Sequence, residues 1–433
     1  MPWVISLALA AVVGAVLFAG GFLAGGAGAG TGCAAPDEAF AAFCEAYDRL
    51  QREYVDDLDP NKLAEGAIRG MFQYGVEDPY SGYMPPEQYQ QALGDLSGSF
   101  SGIGAEMAIS NTEDPADLAA CTEFNSVCRL VVVAPLDESP AEAAGLQAGD
   151  FVLAVDGESV DGSTMNDQIS QIRGEEGTDV TLTIQRDEEE PFDVTITRAK
   201  IVLQEVEARL IDDHIGFIAL NGFSAPASEQ FAAGLQELLD QGADQIVFDL
   251  RDNPGGYIDA AQQIASQFIA DGPIFTQESA GNDVKRYEAT GEGIATDPQL
   301  PLVVLVNGGS ASASEIVAAA LQETGRATLI GEPTFGKNTV QVWGRLENDG
   351  GVRITISRWF TPEHNSVAPD GIQPDIDAAR TADTPPEVDP VLDAALAYLE
   401  DQPVAGQEAS VPMLSDTISD PWVVGIVARR AVC

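Results

Sequence analysis

Hydrophobic and polar residues along this chain follow two different periods, and the change of period divides it into parts. Between Ala34 and about Leu96, apolar positions recur at helical spacing. Phe40, Phe43, Tyr47, Leu50 and Tyr54 come first and Leu63 to Phe72 second, separated by Asp56-Asp57-Leu58-Asp59-Pro60. The pattern predicts helix, turn, helix, ending before Asp78-Pro79-Tyr80-Ser81-Gly82-Tyr83. From Ser97 to about Lys200 the runs are short and strand-like: Ala105 to Ile109, Leu130 to Ala134, Phe151 to Val155, Val180 to Gln185 and Phe192 to Thr197. Two short helices, Pro140 to Ala144 and Met165 to Ile172, interrupt them. From Ile201 strands alternate with helices: Gly216 to Leu220, Ser228 to Leu239, Gln245 to Leu250, Ile258 to Ile269, then Leu302 to Val306 and a helix closing near Thr324-Gly325. Strands Thr339 to Leu346 and Val352 to Trp359 flank the hairpin signal Asn348-Asp349-Gly350-Gly351, and Val391 to Leu399 reads as a terminal helix. Strand-helix alternation predicts an α/β core, so the chain reads as multidomain, α/β plus α+β. The parts are a leading segment 1–33, a helical segment 34–96, a small α+β domain 97–200, the core 201–400 and an extension 401–433.

The densest chemistry lies between Leu302 and Gln341. Leu302 to Val306 is wholly apolar, Asn307-Gly308-Gly309 breaks it, and Ser312-Ala313-Ser314-Glu315 leads into the helix. Such a corner puts a small side chain at a helix N-terminus, where unpaired N–H groups and the helix dipole favour negative charge. A serine there can attack a carbonyl while a neighbouring N–H steadies the oxyanion that forms. Ordinary N-capping accounts for the same serines, and local chemistry leaves Ser310, Ser312 and Ser314 open. Gly336-Lys337-Asn338 follows. The chain has four lysines (Lys62, Lys200, Lys285, Lys337) against seventeen arginines, so a retained lysine points to an amine that must be able to lose its proton. Burial lowers a lysine pKa and makes it a candidate general base; a surface lysine in a turn fits the local sequence too. Gln341 stands four residues later, a spacing that shares a face on a helix or a strand. Arg251-Asp252-Asn253-Pro254-Gly255-Gly256 is a second glycine corner between strand and helix.

The run GGSASASEI, then TFGK, then a glutamine four positions on resembles the C-terminal processing (tail-specific) peptidases, PDZ-containing serine proteases with a Ser–Lys dyad. The resemblance runs from about Ala39 to Ala395. It implies Ser312 as nucleophile, Lys337 as general base and Gln341 as the residue supporting the lysine. The oxyanion hole would come from the Ala313 N–H and one from Gly255 or Gly256, in a core of the ClpP/crotonase kind. SPAEAAGLQAGD and VLAVDGESV, in that order within 97–200, look like a PDZ domain. There Gly102, Ile103 and Gly104 would receive a peptide's terminal carboxylate while the peptide adds a strand to the sheet edge. Tyr54-Val55-Asp56, Gly66 to Met71 and Asp78-Pro79-Tyr80-Ser81 resemble the family's N-terminal segment and read as packing and docking elements. Asn111 to Asn125 departs from the pattern: an acidic, turn-rich insertion on the expected route to the groove, either a gate or an ornament. Arg173, after the second short helix, reads as a contact with the catalytic domain or as a solvated turn arginine.

Composition narrows the setting. The 69 acidic against 21 basic residues give a formal net charge of −48, which argues against nucleic acid and anionic membrane surfaces as partners. The acids are spread along the chain, as on a solvated surface adapted to a salty medium. Val4 to Ala24 carries no charge and is long enough to span a bilayer, as an anchor or a signal peptide. No lysine or arginine precedes Arg49 to orient it, and Gly30-Thr31-Gly32 before Cys33 is a poor lipobox. Either reading puts the catalytic part outside the cytoplasm. Five cysteines fit that compartment, Cys121 with Cys128 being the candidate disulfide and Cys433 a candidate partner for Cys33 or Cys44. No histidine or cysteine cluster has metal spacing, so neither a metal nor a cofactor is expected. The expected partners are protein substrates with flexible apolar C-terminal tails, and a homo-oligomer is left open. Two rivals stand beside the peptidase reading: a Ser–His hydrolase using His214 or His364, and a catalytically silent PDZ scaffold.

Overall fold

The computed structural model describes residues 38–113, 121–187, 189–281, 283–381, 384–385, 388–400 and 430–432. The charge-free Val4 to Ala24 segment, Cys33, Cys433 and the apolar run Trp422 to Val427 lie outside them. Among the described residues no helix is long and apolar enough to cross a membrane. The described residues up to Glu77 form one compact unit, and those from Asp78 form another. The first holds the two helices Ala41–Glu53 and Pro60–Gly75. Asp59 caps the second by accepting the Asn61 N–H at 2.8 Å, with Pro60 at the first helical position.

The second unit is built on a six-stranded sheet in the order Val206–Ile211, Ile215–Leu220, Gln245–Asp249, Leu302–Val306, Thr328–Gly331, Ile376–Asp377. The first pair is antiparallel and the others are parallel. Period-2 alternation explains why its strands read as continuous apolar runs: both faces are covered. Leu302, Val304 and Val306 face the helices Ala227–Asp240, Ile258–Ala265 and Ala313–Glu323, whereas Val303 and Leu305 face the terminal helix Pro390–Glu400 through Val391, Ala395 and Leu399. Both glycine-bearing corners anticipated from sequence, 251–256 and 307–312, follow the C-terminal ends of adjacent parallel strands, Gln245–Asp249 and Leu302–Val306. Open parallel sheets place their sites at that edge.

A five-stranded antiparallel sheet lies beyond this layer. Thr339–Arg345 and Gly351–Phe360 form the anticipated hairpin, and Gly82–Met84, Pro273–Ser279 and Asp283–Glu288 complete the sheet. The hairpin of Pro273–Ser279 and Asp283–Glu288 was not anticipated. Its second strand, Asp-Val-Lys-Arg-Tyr-Glu, exposes five of its six residues and so carries almost no apolar signal. The predicted helix Ile258 to Ile269 ends at Ala265, the remaining residues forming turns.

The small domain between 97 and 200 is entered and left through a two-stranded ladder, Ser99–Gly102 against Ala199–Val202. Its own sheet runs Ala105–Asn111, Cys128–Pro135, Phe151–Val155, Asp179–Gln185, Phe192–Thr197, with Glu158–Ser159 on the third strand. The outer edge of Ala105–Asn111 carries one more strand, Arg430–Val432. The helices Pro140–Ala143 and Met165–Ile172 cover this sheet, and Ile103, Met107, Leu130, Val132, Ile172 and Leu182 fill the core between. Cys121 and Cys128 are joined by a disulfide with Cα atoms 5.5 Å apart. Phe124, buried beside it, ties the end of the insertion into this core, its N–H donating to the Ser163 carbonyl at 2.8 Å.

Candidate active site

Of the three alternating serines, two are spent on structure. Ser310 Oγ donates to the Leu250 carbonyl at 2.8 Å and Ser314 Oγ to the Asn253 carbonyl at 2.8 Å, and both residues are fully buried. Ser312 lies between them, 8% exposed, and borders an open cleft. Its backbone has φ +57°, a strained conformation for a non-glycine residue at the start of the helix Ala313–Glu323. A sharp strand-to-helix elbow of this kind lifts a hydroxyl out of the packed turn.

The second corner is laced to the first. Asn307 Nδ2 donates to Asp252 Oδ1 at 3.0 Å and the Asp252 N–H to Asn307 Oδ1 at 2.9 Å. The Ala311 N–H donates to the Asn253 carbonyl at 3.0 Å. Gly255 has φ +97°, and a Cβ there would lie 2.7 Å from the Ala311 carbonyl oxygen and 2.9 Å from the Ala313 nitrogen, so only glycine fits. The Gly255 N–H donates to Asn253 Oδ1 at 2.9 Å, which commits it within the loop. Gly256, with φ +151°, is pressed against the Phe223 carbonyl.

The lysine loop is fastened to the serine helix by a fully buried acid. Glu315 accepts four hydrogen bonds: from the Ser312 N–H at 2.8 Å, Thr334 Oγ1 at 2.7 Å, the Gly336 N–H at 2.7 Å and the Lys337 N–H at 2.9 Å. On the other side of Lys337, Trp359 Nε1 donates to its carbonyl at 3.0 Å. The backbone of the candidate base is thus tied to the backbone of the candidate nucleophile through one carboxyl group.

Ser312, Lys337, Gln341, Gly255 and Gly256 border one open cleft of about 770 Å³. Two of the four lysines reach it. Lys285 donates to the Tyr287 hydroxyl at 2.8 Å, which holds its amine above the usual range, and Tyr287 in turn donates to Gln277 Oε1 at 2.8 Å. Lys337 is half-buried. Burial, followed by the nearby Arg353 guanidinium, lowers its pKa to about 8, while Glu315 and Asp78 pull the other way. Of the two, Lys337 is the amine that can be neutral near physiological pH. Its Nζ sits 5.3 Å from the centre of the Tyr80 ring, and among the described residues no hydrogen bond joins it to Ser312 Oγ.

Tyr80 and Arg353 were missed as site residues because each acts through a distant stretch of chain. The Asp78-Pro79-Tyr80-Ser81 turn is closed by Ser81 Oγ donating to Asp78 Oδ2 at 2.5 Å, and Arg353 Nε donates to the Tyr80 carbonyl at 2.7 Å. The motif's own signal, a closed turn beginning with an acid, predicts docking; that it docks beneath a lysine 257 positions away does not follow from spacing. Asp95 and Glu205 also border the cleft, and burial pushes both carboxyls above their usual range. Gln341 borders the cleft for a different reason than its spacing offered. Lys337 precedes the strand Thr339–Arg345, so the two share no strand face, and Gln341 Nε2 donates to Thr339 Oγ1 at 2.8 Å and Thr355 Oγ1 at 3.0 Å. His214 and His364 do not border the cleft: His214 Nδ1 is bonded to the Asp212 carbonyl at 2.7 Å, and His364 Nε2 to Glu278 Oε1 at 2.8 Å.

In the small domain, Ile103 buries its side chain in the core and its carbonyl accepts the Ala141 N–H at 2.8 Å; Gly104, with φ +73°, abuts Ser139. Arg173 stacks over the Phe100 ring at 4.2 Å, on the ladder that joins the small domain to the core.

If Lys337 must be neutral to work, kcat/KM should rise with pH through about 8 and level off above it, because the amine titrates from its inactive charged form to its active neutral form. Arg353→Met removes a repelling cation, so the limb should move to higher pH and activity at pH 7 should fall, by about tenfold for each unit of displacement. A pH–rate profile of both forms checks this; an unmoved limb would dissociate Arg353 from the titrating group.

Comparison with known proteins matches residues 214–378 to the profile of Peptidase family S41, residues 131–186 to a PDZ domain, and residues 29–88 to the N-terminal domain of the activating protease CtpB. The carboxy-terminal processing protease CtpB of Bacillus subtilis is 35% identical over 345 residues, covering 78% of this chain and 68% of its own. The carboxy-terminal-processing protease of Bartonella bacilliformis is 37% identical over 342 residues, covering 78% and 74%. The CtpA protease of Bacillus subtilis is 35% identical over 343 residues, covering 79% and 69%.

Proposed function

This chain belongs to the carboxy-terminal processing proteases of peptidase family S41, and from that premise we propose that it captures flexible apolar C-terminal tails of proteins on its PDZ domain and cleaves them with Ser312 and Lys337. The observation that carries this reading is the sorting of the hydroxyls at the strand-to-helix corner and of the amines at the cleft. Ser310 and Ser314 are locked in backbone bonds while Ser312 stands on a strained elbow. Lys285 is held charged while Lys337 is pushed to about 8.

In the proposed reaction Lys337 Nζ, neutral and brought onto Ser312, takes the Oγ proton as Oγ adds to the scissile carbonyl carbon. The oxyanion is met by the N–H groups of Ala313 and Gly256, since the Gly255 N–H is already committed to Asn253. Lys337 then returns the proton to the departing amine, leaving an acyl-enzyme on Ser312. Water hydrolyses the ester, giving its proton to Lys337 and restoring Ser312. Gln341 keeps Thr339 and Thr355 in register beside the lysine loop, a supporting role that does not require direct contact with Nζ. The PDZ residues Gly102 to Gly104 would receive the tail's carboxylate. Family membership and the cleft together disfavour a silent scaffold. A working compartment outside the cytoplasm, with Val4 to Ala24 as anchor or signal, completes the reading.

The test is incubation of the wild-type protein with a folded substrate bearing a flexible apolar C-terminal tail, the cut mapped by mass, beside the same substrate without the tail. Loss of a defined tail fragment from the first alone is expected. Binding of the intact tail with no cut would replace the peptidase by a tail-holding protein.

A further inference from the structure

The strand Ala105–Asn111 follows directly on the Gly102-Ile103-Gly104 loop. One of its edges pairs with Cys128–Pro135. The other is the edge to which an extended peptide would add if the domain works by strand addition. That edge is occupied. Arg430–Val432 pairs with it antiparallel, Arg430 opposite Ala108, Ala431 opposite Met107 and Val432 opposite Glu106. The partner number falls as the chain advances, so the segment runs toward the 102–104 loop, the direction a captured tail would take.

The chemistry of the segment suits the place. Arg429 and Arg430 are the only cations after Arg380, in a chain of net charge −48, and Ala431-Val432-Cys433 is small and apolar. A basic segment is drawn to an acidic body. Residues 401–429 join it to the helix Pro390–Glu400 and can reach up to roughly 100 Å when extended, so the connection sets no steric bar to pairing within one chain.

We propose that Arg430–Val432 is a built-in occupant of the tail-binding edge, which a substrate tail must displace before it is delivered to the cleft. The proposal rests on the tail-capture reading above. A ligand carried on the same chain is present at an effective concentration near the millimolar range. Against an intrinsic dissociation constant of roughly 0.1 mM this weakens competing tails about tenfold.

The test compares the full chain with a form lacking residues 430–433, using a fluorescent peptide with an apolar C-terminal end. The expected result is a fall of about tenfold in peptide Kd and in KM, with kcat unchanged, and faster hydrogen exchange at the 105–111 amides of the shortened form. The R429E/R430E form should show part of the same gain. Equal Kd and equal exchange in the full and shortened forms, with peptide binding evident in both, would overturn self-occupancy and leave tail capture standing. Absence of peptide binding in both forms would overturn tail capture and self-occupancy with it.

Discussion

Lys337→Arg should abolish peptide hydrolysis, lowering kcat by roughly four orders of magnitude or more, while tail binding stays within about twofold of wild type. Arginine keeps the positive charge and nearly the reach of lysine but cannot give up its proton in a protein. If Lys337 served only as a cation, to attract a carboxylate or to pack over Tyr80, arginine would substitute well. If it serves as the base, arginine should fail as completely as methionine at the same position, or as alanine at Ser312. Single-turnover cleavage and tail-binding measurements on the three variants separate these cases. An arginine form working within tenfold of wild type would remove Lys337 from the proton path.

The second large effect is expected at Glu315. Its carboxyl group receives four donors from two chain segments and is fully buried. Glu315→Ala leaves all four without an acceptor, at about 1–3 kcal/mol each, a loss comparable with the whole stability of many domains. The stable alanine form is therefore not expected to accumulate, and the informative variant is Glu315→Gln. Glutamine keeps the volume but turns an NH2 group toward two donors. A penalty of about 2–4 kcal/mol should follow, seen as a melting point lower by about 5–10 °C. Because the four bonds together hold the lysine loop against the serine helix, weakening them loosens the spacing of Ser312 and Lys337, and kcat should fall by roughly a hundredfold with little change in KM. A glutamine form with unchanged melting and turnover would show that the serine and lysine segments are held together by other contacts.

Much of this site was legible as a string of residues, for identifiable reasons. The strand-corner-helix around Ser312 is a local arrangement, announced by an apolar run, two glycines and small polar residues within fifteen positions. The choice among three serines was not local. It depends on the Leu250 and Asn253 carbonyls, which come from the corner after the neighbouring parallel strand and reach Ser310 and Ser314 across some sixty positions. Glu315 passed as an ordinary acidic first-turn residue, because nothing near it in sequence tells that Thr334, Gly336 and Lys337 return to it. The four-residue spacing between Lys337 and Gln341 suggested a shared face, which the structure does not give them because the strand starts after Lys337. The hairpin carrying Gln277, Lys285 and Tyr287 gave no pattern, being exposed on one strand and irregular at Pro273 to Phe275.

The two-stranded ladder between the small domain and the core has one more implication. Both polypeptide crossings run side by side, with Leu96 just before and Leu203 just after them on the rim of the cleft that holds Ser312. A domain mounted on this two-stranded stalk has its grip tethered at a set distance from the cutting point. Substrates seized by their last residues would then be trimmed at a site metered from the end, with the stalk acting as a ruler. Fragments of uniform length from tails of unrelated sequence are the signature of such a device.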